Sequence, residues 1–217
     1  MKVKQFIIWV VFLLPFLMLL LMSFDEISQI VISNYKRYLY FLGGCMLIFI
    51  IDRYTSKNNR VLKTFHHEST HMLVNLITFR KILMMRVDTN GGVVSSIGAK
   101  WMLEAVSLSP YCFPLAAYVV MAFGYFFAND MSFIYAIILG LTYGFHLLCI
   151  KDDFGSWRIF GRHQTDINQY PLLFSYLYIL CFWLFNTYIV LLSVRRDIIE
   201  AYIYMFNCFK NSIISVF

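Results

Sequence analysis

Long apolar stretches recur along this chain at about residues 6–22, 38–51, 61–79, 110–128, 131–150 and 171–194, with short connections between them. A run of roughly 20 apolar residues is what a helix needs to cross the hydrocarbon of a bilayer. Inside hydrocarbon every backbone N–H and C=O must find its partner within the chain, and a helix does this segment by segment. Composition agrees: 60% of residues are hydrophobic and only 14% are charged, where a soluble domain carries about 25% charged residues. Mean hydropathy is +0.69. The expectation is an all-α integral membrane protein of about six transmembrane helices, a single membrane domain over residues 1–217 with no separate soluble domain and the lipid bilayer as partner.

The formal net charge of +6 fits Lys and Arg gathered at membrane ends. No basic cluster is interleaved with exposed aromatics as a nucleic-acid surface requires, so no nucleic-acid partner is expected. Arg53, Lys57, Arg60 and Lys63 form a cytoplasmic signature. Lys2 and Lys4 precede the first span and Arg195-Arg196 closes the sixth, which places both ends inside. No small-x-small cleavage site follows the first run, so it reads as an uncleaved span. Short loops and compact size point to a multi-pass protein of a bacterial inner (plasma) membrane. Cys45, Cys112, Cys149, Cys181 and Cys208 each stand alone in apolar surroundings and read as packing residues.

Between the spans several local signals stand out. Pro15 predicts a kink in span one, and Ser23 to Arg37 reads as a polar connection. Gly43-Gly44 invites close helix packing in span two. Ile82 to Val87 and Val93 to Ile97 flank Asp88-Thr89-Asn90-Gly91-Gly92, a β-hairpin signal that predicts a short re-entrant hairpin. Its free edge can hold an extended substrate by strand addition. Ser109-Pro110 and Pro114 predict an interfacial piece up to Leu108 before span four. Asn129-Asp130 predicts a tight turn into span five, and residues 151–170 are polar. Glu200, Asn207 and Asn211 share one face of a tail, residues 198–217, expected to lie along the membrane surface as an interfacial helix.

One stretch points to chemistry: Phe65-His66-His67-Glu68-Ser69-Thr70-His71-Met72-Leu73-Val74-Asn75. Residues four apart on a helix sit one above the other. His67 and His71 can therefore aim two imidazole nitrogens at one tetrahedral Zn²⁺. Glu68 can reach water in the open coordination position and act as general base. Random placement in a chain of this composition yields the His-Glu-x-x-His pattern about 0.002 times. Ionisable groups entering an apolar helix are costly and usually serve a function. His66 lies about 100° round the helix from His67 and reads as a headgroup or outer-shell residue. His146, alone in span five, reads as a packing or hydrogen-bonding residue.

A catalytic zinc needs three protein ligands and one open position. The remaining acidic residues near apolar segments are Glu104, Asp130, Asp152, Asp153 and Asp166. Asp166 sits in Gln164-Thr165-Asp166-Ile167-Asn168 just before span six, where Thr165 can hydrogen-bond a carboxylate; the alternative for Asp166 is a helix N-cap. If spans three to five all cross fully, His67 and Asp166 start near opposite faces, and they meet only if the motif lies mid-membrane or the Asp166 segment dips inward.

With these residues the chain resembles the site-2 protease family of intramembrane zinc metalloproteases, in particular its small bacterial branch. The resemblance covers roughly residues 61–171 and rests on His67-Glu68-Ser69-Thr70-His71, the Gly91-Gly92 hairpin after it and the Thr165-Asp166 pair before a later span. It implies His67 and His71 as zinc ligands, Glu68 as base, Asp166 as third ligand and a membrane-spanning protein substrate cut within the membrane, often to release a regulator. The chain has Thr70 where the family usually has Gly, and it lacks the Asn-Pro…Asp-Gly or Leu-Asp-Gly segment that normally provides the third ligand. A Glu third ligand, as in gluzincin-like membrane proteases, would favour Glu104. Those departures also motivate a second reading, a non-enzymatic multi-pass protein (a degenerate protease fold or a transporter) that binds a partner.

Overall fold

The computed structural model describes residues 3–55, 59–88, 91–98, 102–124, 132–155, 165–195 and 198–214. The described chain is mostly helical: α1 (Val3–Met22), α2 (Phe24–Ser33), α3 (Tyr35–Thr55) and α4 (Arg60–Ile77) precede a hairpin of β1 (Lys81–Asp88) and β2 (Gly91–Ile97). After it come α5 (Leu103–Leu108), a 3-10 turn (Ser109–Tyr111), α6 (Leu115–Phe123), α7 (Ser132–Gly155), the short α8 (Thr165–Asn168), α9 (Leu172–Ser193) and α10 (Ile198–Ile214). The helical membrane class therefore holds in its coarse form. The Asn129-Asp130 turn, the Thr89-Asn90 turn tip, His163 and the Thr165 side chain lie outside what is described.

The expected six spans are not supported. Among the described residues, three helices are long and apolar enough to cross a membrane, Val10–Ser33, Phe133–Asp153 and Leu172–Ser193. A fourth candidate exists only if Leu103–Tyr111 and Leu115–Phe123 count as one span, and these are bent by 82° where Cys112, Phe113 and Pro114 interrupt the helix. Span two falls short because the apolar centre of α3 is bounded by Lys36, Arg37, Asp52 and Arg53. Span three falls short because α4 carries Arg60, Lys63, Glu68 and three histidines in its N-terminal two thirds. The polar connection expected at 23–37 is instead helix. Ser23 between them is a turn with helical dihedrals, its N–H and hydroxyl both reaching Leu19 O at 3.0 and 2.8 Å, so α1 runs on into α2.

Close packing of α3 against α7 is set by glycines. A Cβ at Gly140 would lie 2.9 Å from the Phe41 carbonyl carbon, and one at Gly44 would lie 2.9 Å from Leu141 N. Gly144 repeats the arrangement one turn on, 3.0 Å from Cys45 Cα, and Cys45 Sγ donates to Gly140 O at 3.2 Å. These are small residues spaced four apart, the pattern that lets helix backbones approach. Of the two glycines singled out in span two, Gly44 faces this seam and Gly43 faces open space. Gly140→Val is accordingly expected to destabilise the fold by about 1–3 kcal/mol through overpacking, with Gly43→Ala near neutral. Equal thermal midpoints for the two variants in detergent would refute the seam.

The hairpin forms as its turn chemistry predicts, with β1 and β2 antiparallel and an irregularity between Ile82 and Met84. It leaves α4 through a tight cap: Arg80 N–H donates to Asn75 O at 2.8 Å and Phe79 takes the left-handed conformation at φ 56°. The tail forms a helix, α10. It packs on α9 and α1, burying Ala201, Met205, Cys208 and Ser212 at helical spacing, while Glu200, Asn207 and Asn211 face outward. All five cysteines are buried and unbridged.

Candidate metal centre

Four elements build the site. α4 supplies His67, Glu68 and His71; the last turn of α7 supplies Asp153; α5 supplies the Val106 carbonyl; α8 supplies Asp166. The ligand atoms of His67, His71 and Asp166 lie within 4.8 Å of one another. The two Nε2 atoms are 3.2 Å apart, and each is 3.5 Å from Asp166 Oδ2. A tetrahedral ion with bonds of about 2.0–2.1 Å holds its ligand atoms about 3.3 Å apart, so the three side chains fit such an ion.

Proton positions follow from the outer partners. Val106 O can only accept, so His71 Nδ1, 2.8 Å away, carries the hydrogen and Nε2 presents a lone pair. Asp153 Oδ2 accepts from His67 Nδ1 at 3.1 Å, so the neutral ring presents Nε2 as a lone pair. Without an ion, burial would lower the His67 pKa, but Asp153 and Asp166 outweigh it and favour the protonated ring, pushing the pKa up to about 10. Burial alone would raise the Asp166 pKa, but the His67 and His71 imidazoles outweigh it and hold this carboxyl well below the usual carboxylate range. An ion at this point would take the place of the His67 Nε2 proton, with the two Nε2 atoms and Asp166 Oδ2 as its three electron-pair donors. Tyr111 packs edge-on against the His67 ring, centroids 5.7 Å apart, and fixes its plane.

Asp166 is held in place from below. Ile167 is fully buried in a cluster with Phe174 and Tyr178, and Ser175 Oγ donates to Ile167 O at 3.0 Å. The separation of His67 and Asp166 expected from three full crossings does not arise: the two residues meet in one cluster.

Glu68 is buried under the hairpin. A Cβ at Gly92 would lie 2.7 Å from Glu68 Oε1, so β2 passes over this carboxylate closely enough that a side chain there would displace it. A polar knot fixes that strand: Ser96 Oγ donates to Asn75 Oδ1 at 2.7 Å, and Arg80 Nε donates to the same oxygen at 2.9 Å. Glu68, His71 and Asp166 open on a cavity of about 420 Å³ whose far wall is Val93 to Ser96 of β2 and Leu103 and Ser107 of α5.

The other candidates are placed elsewhere. Glu104 is buried on α5 outside the three-residue group, and its Oε2 has no hydrogen-bond partner among the described residues. Asp152 pairs with Lys63 at 2.6 Å, Asp153 takes the far side of His67 rather than the ligand position, and Asp130 is outside the described residues. His66 is buried against Phe145 and His146, not at a headgroup, with ring centroids 5.5 and 5.8 Å away. Thr70, at the position where Gly was expected from the resemblance, is fully buried and donates its hydroxyl to His66 O at 2.9 Å, so it fits inside the helix packing. Sequence reasoning missed Asp153 as the His67 partner, the Val106 carbonyl and the Asn75–Arg80–Ser96 knot. The first sits in the last turn of a helix within a polar stretch, and no local pattern marks the other two.

No family model matches this chain, and no match was found among curated proteins or among solved structures.

Proposed function

We propose that this protein is an integral membrane zinc metallopeptidase that hydrolyses a peptide bond in a membrane-embedded protein substrate, in regulated proteolysis at a bacterial inner membrane. The observation that supports it most is the convergence of three lone-pair donors, His67 Nε2, His71 Nε2 and Asp166 Oδ2, at 3.2–3.5 Å, with an acidic residue beside them on the same helix. His67, His71 and Asp166 would hold the ion. When bound there, zinc lowers the pKa of a water towards 7 and polarises a carbonyl.

The chain's own residues do the rest. Glu68 accepts the proton of the attacking water and returns it to the leaving amine. Val106 O and Asp153 keep both imidazoles in the tautomer that presents Nε2. The β2 strand and α5 wall the cavity. A helical substrate must unwind locally first, since its scissile carbonyl is otherwise hydrogen-bonded within the helix.

The test is cleavage of a co-expressed reporter that carries a membrane-spanning segment. Cleavage is expected to stop with a zinc chelator and to return on adding Zn²⁺, and cleavage indifferent to chelation would sink the reading. Asp153→Asn is expected to weaken zinc affinity by about 10–100-fold, the usual cost of removing an outer-shell partner. Chelator competition on the purified chain measures this, and an unchanged affinity would remove Asp153 from the site. The non-enzymatic alternative predicts instead a metal-free preparation whose partner binding ignores His67→Ala.

A further inference from the structure

Lys63 lies on α4 one turn ahead of His67 and is clamped by two other helices. Its Nζ is 2.6 Å from Asp52 Oδ1 on α3 and 2.6 Å from Asp152 Oδ2 on α7. The Lys63 and Asp52 side chains are 11% and 13% exposed, so this is not a loose surface pair. Asp152 is half exposed and directly precedes Asp153, the residue that holds His67 Nδ1.

Two consecutive carboxylates at the end of α7 are thus each gripped by α4, Asp152 by Lys63 and Asp153 by His67. The position is unfavourable without help. The last carbonyls of a helix lack intrahelical partners and carry partial negative charge, so acidic side chains there are repelled and the turn tends to fray. The last turn of α7 contains no basic residue of its own. The compensating charge comes across the interface from Lys63.

We infer that Lys63 is a positioning residue for the metal centre: by gripping Asp152 it fixes the last turn of α7, and that turn in turn holds Asp153 on His67 Nδ1. This rests on the reading of His67, His71 and Asp166 as a zinc site.

The experiment is Zn²⁺ affinity by chelator competition on the detergent-purified full chain. Lys63→Met and Asp152→Asn are each expected to weaken binding about tenfold, the low end for an outer-shell change. Asp52→Asn leaves the Lys63–Asp152 contact in place and is expected to bind as the wild type does. Lys63→Arg, which keeps a donor for both carboxylates, is expected to restore most of the affinity. In an Asp153→Asn background, Lys63→Met is expected to have no further effect, because its influence travels through Asp153.

Fully additive losses in that double variant would overturn the inference, as would an Asp52→Asn loss equal to that of Lys63→Met, which marks general helix packing. If Lys63→Met fails to fold, the half-exposed Asp152→Asn carries the same test. A wild type that retains no zinc overturns the parent reading. A wild type that retains zinc with Lys63→Met and Asp152→Asn unchanged overturns this inference alone.

Discussion

Glu68→Gln is expected to abolish cleavage of a membrane-spanning reporter while one zinc per chain stays bound. The substitution keeps the size and hydrogen-bonding shape of the side chain and removes its basicity. Loss of a positioned general base typically costs about 10²–10⁴ in rate. Glu68 is not one of the three convergent donors, so the ion has no reason to leave. The fit beneath Gly92 is preserved as well, because Gln occupies the same volume where a Cβ would already crowd Oε1 at 2.7 Å. Elemental analysis and cleavage measured on the same preparation decide the matter. Undiminished cleavage would remove Glu68 from the chemistry, and loss of zinc along with activity would make it a ligand rather than a base.

Asp166→Ala is expected to release the zinc, and Glu104→Ala to retain it. Removing Asp166 leaves two imidazoles and no third protein ligand, too few for a catalytic site, so the loss should exceed the roughly 10–100-fold of an outer-shell change. His67→Ala and His71→Ala should behave like Asp166→Ala. Folding is not expected to suffer greatly, since Ile167 and its contact with Ser175 Oγ anchor α8 independently of the carboxylate. Glu104 is the informative control: it too carries a carboxyl group and is more deeply buried, but it lies outside the group. Zinc retained in Asp166→Ala and lost in Glu104→Ala would reverse the assignment.

Local features were legible because their physics is local. His67 and His71 share a face because the helix repeat puts residues four apart in register, whatever else the chain does. The hairpin follows from turn residues between two strand-forming runs, and β1 and β2 overlap the expected strands closely. Apolar runs of bilayer length mark α7 and α9, whose ends match the expected spans to within a few residues. Span counting failed where hydropathy alone was asked to draw boundaries. The Ser23 to Arg37 stretch is polar but its backbone continues a helix, and the α3 and α4 regions are helical without being apolar enough to cross a membrane.

The amino-acid sequence by itself determined the helical membrane class, the α4 motif and the hairpin, since each depends on residues within a few positions of one another. Only the tertiary structure decided which distant carboxylate meets the histidines. Asp153 and Asp166 are both short acids in one polar stretch, and nothing in that stretch says that one takes the far nitrogen of His67 while the other faces both Nε2 atoms. That choice is made by packing: the glycine seam that seats α7 against α3, the 82° bend before α6 and the buried Ile167 that aims α8. Each is a contact between segments far apart in the chain, fixed by shape and burial rather than by local pattern.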